Sequence, residues 1–256
     1  MEPQRDGSDE DLLPSTSPAA RAERIEALRA RIVLPDAASC PLLPLGVPLI
    51  DWCLPGGLGL GLPHEVVPDG PGDEAASLGF ALALVARRLA EATGEALLVL
   101  APGHPLPYGH GLAGLGLDPE RLLILEVGSE ADVFRALEAA LQSRALRAVA
   151  GLVSEGLPLI AGRRLRIVGG DALLLVLRPT GAEQPNGAAT RWRIAAAPAA
   201  RDCFGHPVAP RWRLRLDRCR NGRTGTWIVE WDRAARRFGL AERLAGHASA
   251  AGGRRS

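Results

Sequence analysis

From residue 78 onward apolar positions recur at steps of four, three and four. Leu78, Leu82, Val85 and Leu89 form one stripe, and this spacing predicts a helix from about Asp73 to Thr93. ALLVL (96–100) is a continuous apolar run of strand length, the pattern of a strand buried on both faces in a parallel sheet. After a loop and short helix over 101–119, RLLILEV (121–127) predicts another strand. Ser129 is placed to cap the next helix, with Asp132 three residues on where a capping box usually has Glu or Gln. Val133, Leu137 and Ala140/Leu141 are its stripe. AVAGLVSE (148–155) then predicts a strand, LIAGRRLRIVG a short helix and DALLLVLRP a strand. Strands alternating with helices imply an α/β fold with a mainly parallel sheet flanked by helices.

The pattern changes after Thr180. GAEQPNGAA is a loop and RWRIAAAP (191–198) a strand. RWRLRLDR (211–218) alternates strictly, with Arg211, Arg213, Arg215 and Asp217 on one face and Trp212, Leu214 and Leu216 on the other. Asn221-Gly222 follows, and TWIVEW (226–231) returns, so an antiparallel hairpin is expected at the C-terminal edge of the sheet. Upstream, residues 1–18 are polar with Pro and Ser and predict a disordered tail. Residues 19–39 are read as a helix over Ala19–Val33, ended by Pro35, and a linker. Ile25, Leu28 and Ile32 form the apolar face of that helix, which either packs on its own domain or docks on a partner. Residues 40–244 are read as one domain, opening with a Pro/Gly-rich loop (40–63), and residues 245–256 as a flexible tail.

Composition narrows the chemistry. Of 256 residues 47% are hydrophobic, enough for a real core. No apolar run spans a bilayer and the polar, acidic start is no signal peptide, so no membrane is expected. Cys40, Cys53, Cys203 and Cys219 make no metal-type pair, and a reducing cytoplasm is the expected compartment. All 30 basic residues are Arg, which excludes any lysine chemistry: phosphate-loop cation, Schiff base or general base. Residues 1–155 carry 11 Arg against 22 acids, and residues 156–256 carry 19 Arg against 7 acids, so halves of −11 and +12 leave a net +1. Either the basic half meets a polyanion or acidic protein, or the halves neutralise each other within one fold.

HEVVPDGPGDEAAS (64–77) is strand, Gly/Pro turn and helix start, the frame of a phosphate loop. Such a loop sets backbone N–H groups, a Lys and a hydroxyl around phosphate and metal. Gly70, Gly72, Asp73, Glu74 and Ser77 stand in that frame, but Glu74 falls near the Lys slot, where a carboxylate repels phosphate. The surrounding residues resemble the RecA-like recombinase core over about residues 40–232. The carriers are Gly46, Leu49-Ile50-Asp51, Gly56-Gly57-Leu58, Gly61 and Glu65, then Leu115-Gly116-Leu117-Asp118 through Leu122-Leu123, followed by EADVFRALEAAL. By that resemblance Gly103 stands where the family has its water-activating Glu, and Ser154-Glu155 where it has its metal-orienting Asp. A degenerate, non-catalytic site with no cofactor and no metal is therefore expected.

Within that superfamily the chain resembles the ImuA family, the RecA-like accessory proteins of bacterial mutasomes. YGHGLAGLGLDPERLLILEV, FRALEAALQS, Arg163-Arg164-Leu165, TRWRIAAAP and RNGRTGTWIVEWD carry the likeness. It implies a non-catalytic scaffold of error-prone translesion synthesis in the DNA-damage (SOS) response. The implied partners are an inactive Y-family polymerase homologue and an error-prone C-family DNA polymerase, with RecA and weakly held DNA as further ones. A SulA-like cell-division inhibitor and a nucleotide-binding ATPase remain open alternatives.

The candidate nucleic-acid or partner surface is the face of Arg211, Arg213 and Arg215, with Arg218, Arg220 and Arg223 around the turn. Alternate residues of a strand lie about 7 Å apart, near the phosphate spacing along one strand. Arg191 and Arg193 extend the surface, and Trp192, Trp212, Trp227 and Trp231 are candidates for stacking on bases, although Trp212 points opposite the Arg stripe and reads better as core. The competing reading is a solvated strand face paired with the acidic half. Arg163, Arg164 and Arg166 follow the strand after which recombinases place a DNA-contacting loop.

Overall fold

The computed structural model describes residues 40–180, 187–199, 201–220 and 222–241. All belong to one compact unit, Cys40–Ser256. The proposed partner helix with Ile25, Leu28 and Ile32, both tails and Asn221 lie outside the described residues.

Two short strands, β1 (Leu42–Leu43) and β2 (Leu58–Gly59), pair antiparallel around helix α1 (Pro48–Cys53). The main sheet begins with β3 (Pro63–Pro68) and continues through helix α2 (Glu74–Glu91), β4 (Glu95–Leu100), helix α3 (Gly109–Gly114) and β5 (Leu122–Glu126). Helix α4 (Glu130–Ser143), β6 (Leu146–Leu152), helix α5 (Leu159–Val168) and β7 (Leu173–Leu177) follow. The chain closes with β8 (Thr190–Ala197), β9 (Arg211–Cys219), β10 (Gly225–Asp232) and β11 (Arg237–Leu240). The sheet order is β11-β10-β9-β8-β3-β7-β6-β4-β5. Six strands from β8 to β5 run parallel, and β9, β10 and β11 add antiparallel. The expected α/β architecture with an antiparallel C-terminal hairpin is what the chain forms.

The hydrophobic pattern explains which side each helix takes. On one face α2 lays Phe80, Leu84 and Val85 against Trp192, Trp212, Trp231 and Phe238, beneath Leu43, Leu45 and Ile50 of the entry loop. On the other, Val133, Leu137 and Leu141 of α4 and Leu165 of α5 cover Val149, Leu174 and Val176. Gly151 in β6 permits that approach, since a Cβ there would stand 2.8 Å from Val133 and 2.9 Å from Leu137. Ser129 caps α4 as its spacing predicts: its hydroxyl oxygen accepts the Asp132 N–H at 3.2 Å and donates to the Asp132 carboxylate at 2.6 Å. That hydroxyl, and then Arg135, hold the Asp132 pKa below its ordinary value.

The far end of α2 is closed by a residue from another element. The Arg121 guanidinium donates to the carbonyls of Leu89, Ala92 and Gly94 at 2.6–3.0 Å, taking up C-terminal acceptors that a helix leaves orphaned. One expectation changes and two features are new. The strand read over 148–155 ends at Leu152, so Ser154 and Glu155 lie beyond it and exposed. β5 is an edge strand and leaves Leu123, Ile124 and Leu125 exposed. β11, a four-residue strand, was not predicted.

Candidate functional site

The loop between β3 and α2 is held by its own acids. The Glu74 carboxylate accepts the Gly72 N–H at 2.8 Å. Asp73 accepts the Ala196 N–H of β8 at 3.0 Å, and Asp69 accepts from both Arg213 and Arg215 of β9 at 3.0 Å. Ser77 is buried, and its hydroxyl donates back to the Glu74 carbonyl at 2.9 Å. Gly70 carries the turn: its carbonyl accepts the Asp73 N–H at 3.2 Å. A cleft of about 390 Å³ opens beside the loop, lined by Pro68, Glu74, Ser77, Leu78, His104 and Leu177 among others. A phosphate here would meet carboxylate where electrostatics asks for a cation, and one amide that could bind it already has an anionic acceptor. Gly103 supplies no side chain at the end of β4. Among the described residues no three His, Cys, Asp or Glu side chains converge as a metal site.

Behind the loop lies a buried charge cluster. Glu65, fully buried in β3, accepts from the Arg178 guanidinium at 2.8 Å and from Arg191 at 2.5 Å. Arg178 also donates to the Pro179 carbonyl, while its Nη2 has no hydrogen-bond partner among the described residues. Next to Glu65, His64 is sealed in the core. Trp192 Nε1–H donates to the Thr190 hydroxyl at 3.0 Å, and that hydroxyl lies 2.8 Å from His64 Nδ1. His64 Nε2 faces the Gly59 carbonyl at 2.9 Å and must therefore carry the proton, so Thr190 donates to Nδ1. Burial pushes the His64 pKa down to about 4 against the smaller opposing pull of Gly59, and the ring is neutral near pH 7.

The arginines fall into three groups. Arg211, Arg213 and Arg215 do share the outward side of β9, and Trp212, Leu214 and Leu216 the inward side. Each is tied to an acid: Arg211 to Glu230, Arg213 to Asp69, Arg215 to Asp69 and Asp217. Arg193 joins the same ladder through Asp217, and Arg191 is buried on Glu65. Two of these acids, Asp69 and Glu65, belong to the acidic half, so the halves neutralise each other at least here. The second group lies near the other end of β9. Arg220 has its pKa lowered by partial burial and then by the nearby charges of Arg166 and Arg218, and Arg223 stacks over Trp52 at 4.1 Å. The third is Arg163 and Arg164, which sit on helix α5 and not in a loop. Arg164 pairs with Glu138 of α4 at 2.7 Å, and Arg163 is exposed.

The aromatic expectation is corrected for Trp192 and Trp231, which are buried in the core, while Trp212 is buried as its side of the strand implied. Trp227 is half-buried and packs against the core. Sequence reasoning passed over the Glu65 cluster, whose members are 113 and 126 residues apart. It also passed over Ile160 and Ile167 of α5, exposed at 75% and 81%. Their spacing of seven was the available signal.

No family model matches the chain. Two curated proteins are similar to it, each called Protein ImuA, from Caulobacter vibrioides strains NA1000 / CB15N and ATCC 19089 / CIP 103742 / CB 15. Each is 39% identical over 237 residues, covering 84% of this chain and 96% of the relative.

Proposed function

Because the chain belongs to the ImuA family, we propose that it is a non-catalytic accessory protein of an error-prone translesion synthesis complex. It joins an inactive Y-family polymerase homologue to an error-prone C-family DNA polymerase, with RecA and weakly held DNA as further contacts. The observation that carries the non-catalytic reading is the Glu74 carboxylate on the Gly72 N–H at the start of α2. Phosphoryl transfer needs positive charge around the transferring group. The chain has no Lys at all, and Glu74 puts negative charge at the helix end where phosphate would sit. The nucleotide-hydrolysing alternative asks for a cation in that place.

A fold without the chemistry is useful for its surfaces. The Arg ladder on β9 is half-exposed, with Arg213 at 54% and Arg215 at 47%, so it can still meet an anionic partner by exchanging acids. No helix among the described residues is long and apolar enough to cross a membrane.

The test is reconstitution. The full chain is mixed with the two polymerases of its own host, treated with nuclease and run by gel filtration. One nuclease-resistant complex is expected. Its absence refutes the adaptor reading, and a complex lost with nuclease moves the contact to DNA. Millimolar ATP or ADP should leave Tm unchanged. A rise shows that the site binds nucleotide, because a ligand that binds only the native state must stabilise it, and turnover of the bound ATP above background would refute the non-catalytic reading.

A further inference from the structure

Helix α5 carries two apolar stripes, and only one of them is used by the fold. Gly162 and Leu165 face inward and are buried. Gly162 lies so close to Gly187 that a Cβ on it would stand 2.9 Å from the Gly187 Cα. At about 100° per residue, Ile160, Arg163, Arg164 and Ile167 fall around the opposite direction, at steps of i, i+3, i+4 and i+7. Their exposure agrees with the wheel: Arg163, Arg164 and both isoleucines are exposed. Leu159, 48% exposed, lies at the flank of this face.

The neighbouring helix has no such face. α4 packs on the same side of the same sheet, and its exposed positions are Ala131, Arg135, Ala139, Gln142 and Ser143. None is large and apolar. A single exposed isoleucine is ordinary, but two of them one heptad apart on one stripe, bracketed by arginines, form the seam a second helix packs against. Beside this seam runs a groove of about 300 Å³ between α4 and α5, lined by Ala131, Phe134, Glu138, Ala161 and Leu165 among others.

We infer that the outward face of α5 and the α4–α5 groove dock an acidic amphipathic helix of a partner protein. This deepens the adaptor reading and rests on it. The charge selects the partner's sign, because α5 has three arginines and no acid over its ten residues. Glu138 already answers Arg164, which leaves Arg163 at the rim to meet a carboxylate. The secondary structure selects the partner's shape. An α-helix satisfies its own backbone, so a visitor meets only side chains. Ile160 and Ile167 stand about 10 Å apart along the axis, the repeat of two helical turns. Duplex or single-stranded DNA offers nothing apolar of that spacing to two central isoleucines.

The experiment uses the full chain and whichever of the two polymerases it binds in nuclease-treated reconstitution. Ile160→Ser with Ile167→Ser should weaken that binding at least tenfold, and Arg163→Glu about fivefold, with Tm unchanged. Ala139→Asp and Gln142→Glu on α4 should leave it alone. A photo-crosslinking p-benzoylphenylalanine in place of Ile160 should label a partner segment rich in Asp and Glu with helical apolar spacing. Unchanged affinity of the double variant overturns the inference while the adaptor reading stands. So does a crosslink on a basic or extended segment, or on added DNA. If the unaltered chain binds neither polymerase, the adaptor reading fails first and this inference with it.

Discussion

Replacing Glu65 by Gln removes the carboxylate that two buried guanidinium groups share. The side chains of Glu65, Arg178 and Arg191 are only 1%, 5% and 7% exposed, so water cannot replace the lost charge. Gln keeps one acceptor but turns an NH₂ group toward the other guanidinium, setting donor against donor. Arg178 suffers most, because its Nη2 is already unpartnered among the described residues and the Pro179 carbonyl is its other acceptor. Breaking a buried pair from one side costs about 3–5 kcal/mol. For a domain of this size each kcal/mol moves Tm by about 2–4 °C, so Glu65→Gln should melt on the order of 10 °C below the parent. Urea denaturation at pH 7 followed by tryptophan fluorescence measures it, with an unchanged slope showing that the native and unfolded states stay comparable. Glu65→Asp, which keeps the charge and shortens the reach, should fall between the two. A loss below about 1 kcal/mol for Glu65→Gln would mean that the guanidinium groups find other acceptors, and the account of the cluster would be wrong.

His64 gives a pH signature. Its folded pKa near 4 lies below the unfolded value of 6.5, so its contribution is whole above pH 6.5 and is lost as pH falls from 6.5 toward 4. That loss amounts to about 3 kcal/mol; an imidazole titrating above pH 6 by NMR sinks the assignment. Arg121→Met strips the carbonyls of Leu89, Ala92 and Gly94 of a charged donor and should cost about 2–3 kcal/mol. Hydrogen exchange should quicken in the last turn of α2 first, and uniform exchange across the domain would count against the local account.

Period and capping were readable wherever neighbours in sequence are neighbours in space. The stripe of Leu82, Val85 and Leu89 is buried as its spacing implied, Ser129 caps α4, and β9 alternates as written. β11 escaped because four residues show no alternation of their own, and it exists by pairing Arg237–Leu240 with β10. Contacts across long separations were closed to sequence reading. Asp69 lies 144 residues before Arg213, so the sequence left open whether the Arg stripe is free or paired with the acidic half, and the structure shows it paired. Trp192 and Trp231 looked like stacking groups because a strand pattern gives side but not cover, whereas the side of Trp212 was readable. At the loop, a carboxylate at the start of α2 was legible in Glu74. That its carboxylate turns back onto Gly72 was not, since that depends on local backbone geometry.

The three acids of that loop also bear on what one substitution can change. Glu74 secures Gly72, Asp73 ties the loop to β8, and Asp69 to β9. A cation placed at position 74 would hand the exposed Gly72 N–H to water, at little cost, and would leave the carboxylates of Asp69 and Asp73 where they are. The negative charge of the loop is thus shared among three positions, two of them fastened to other strands, and a change at one of them does not reverse its sign.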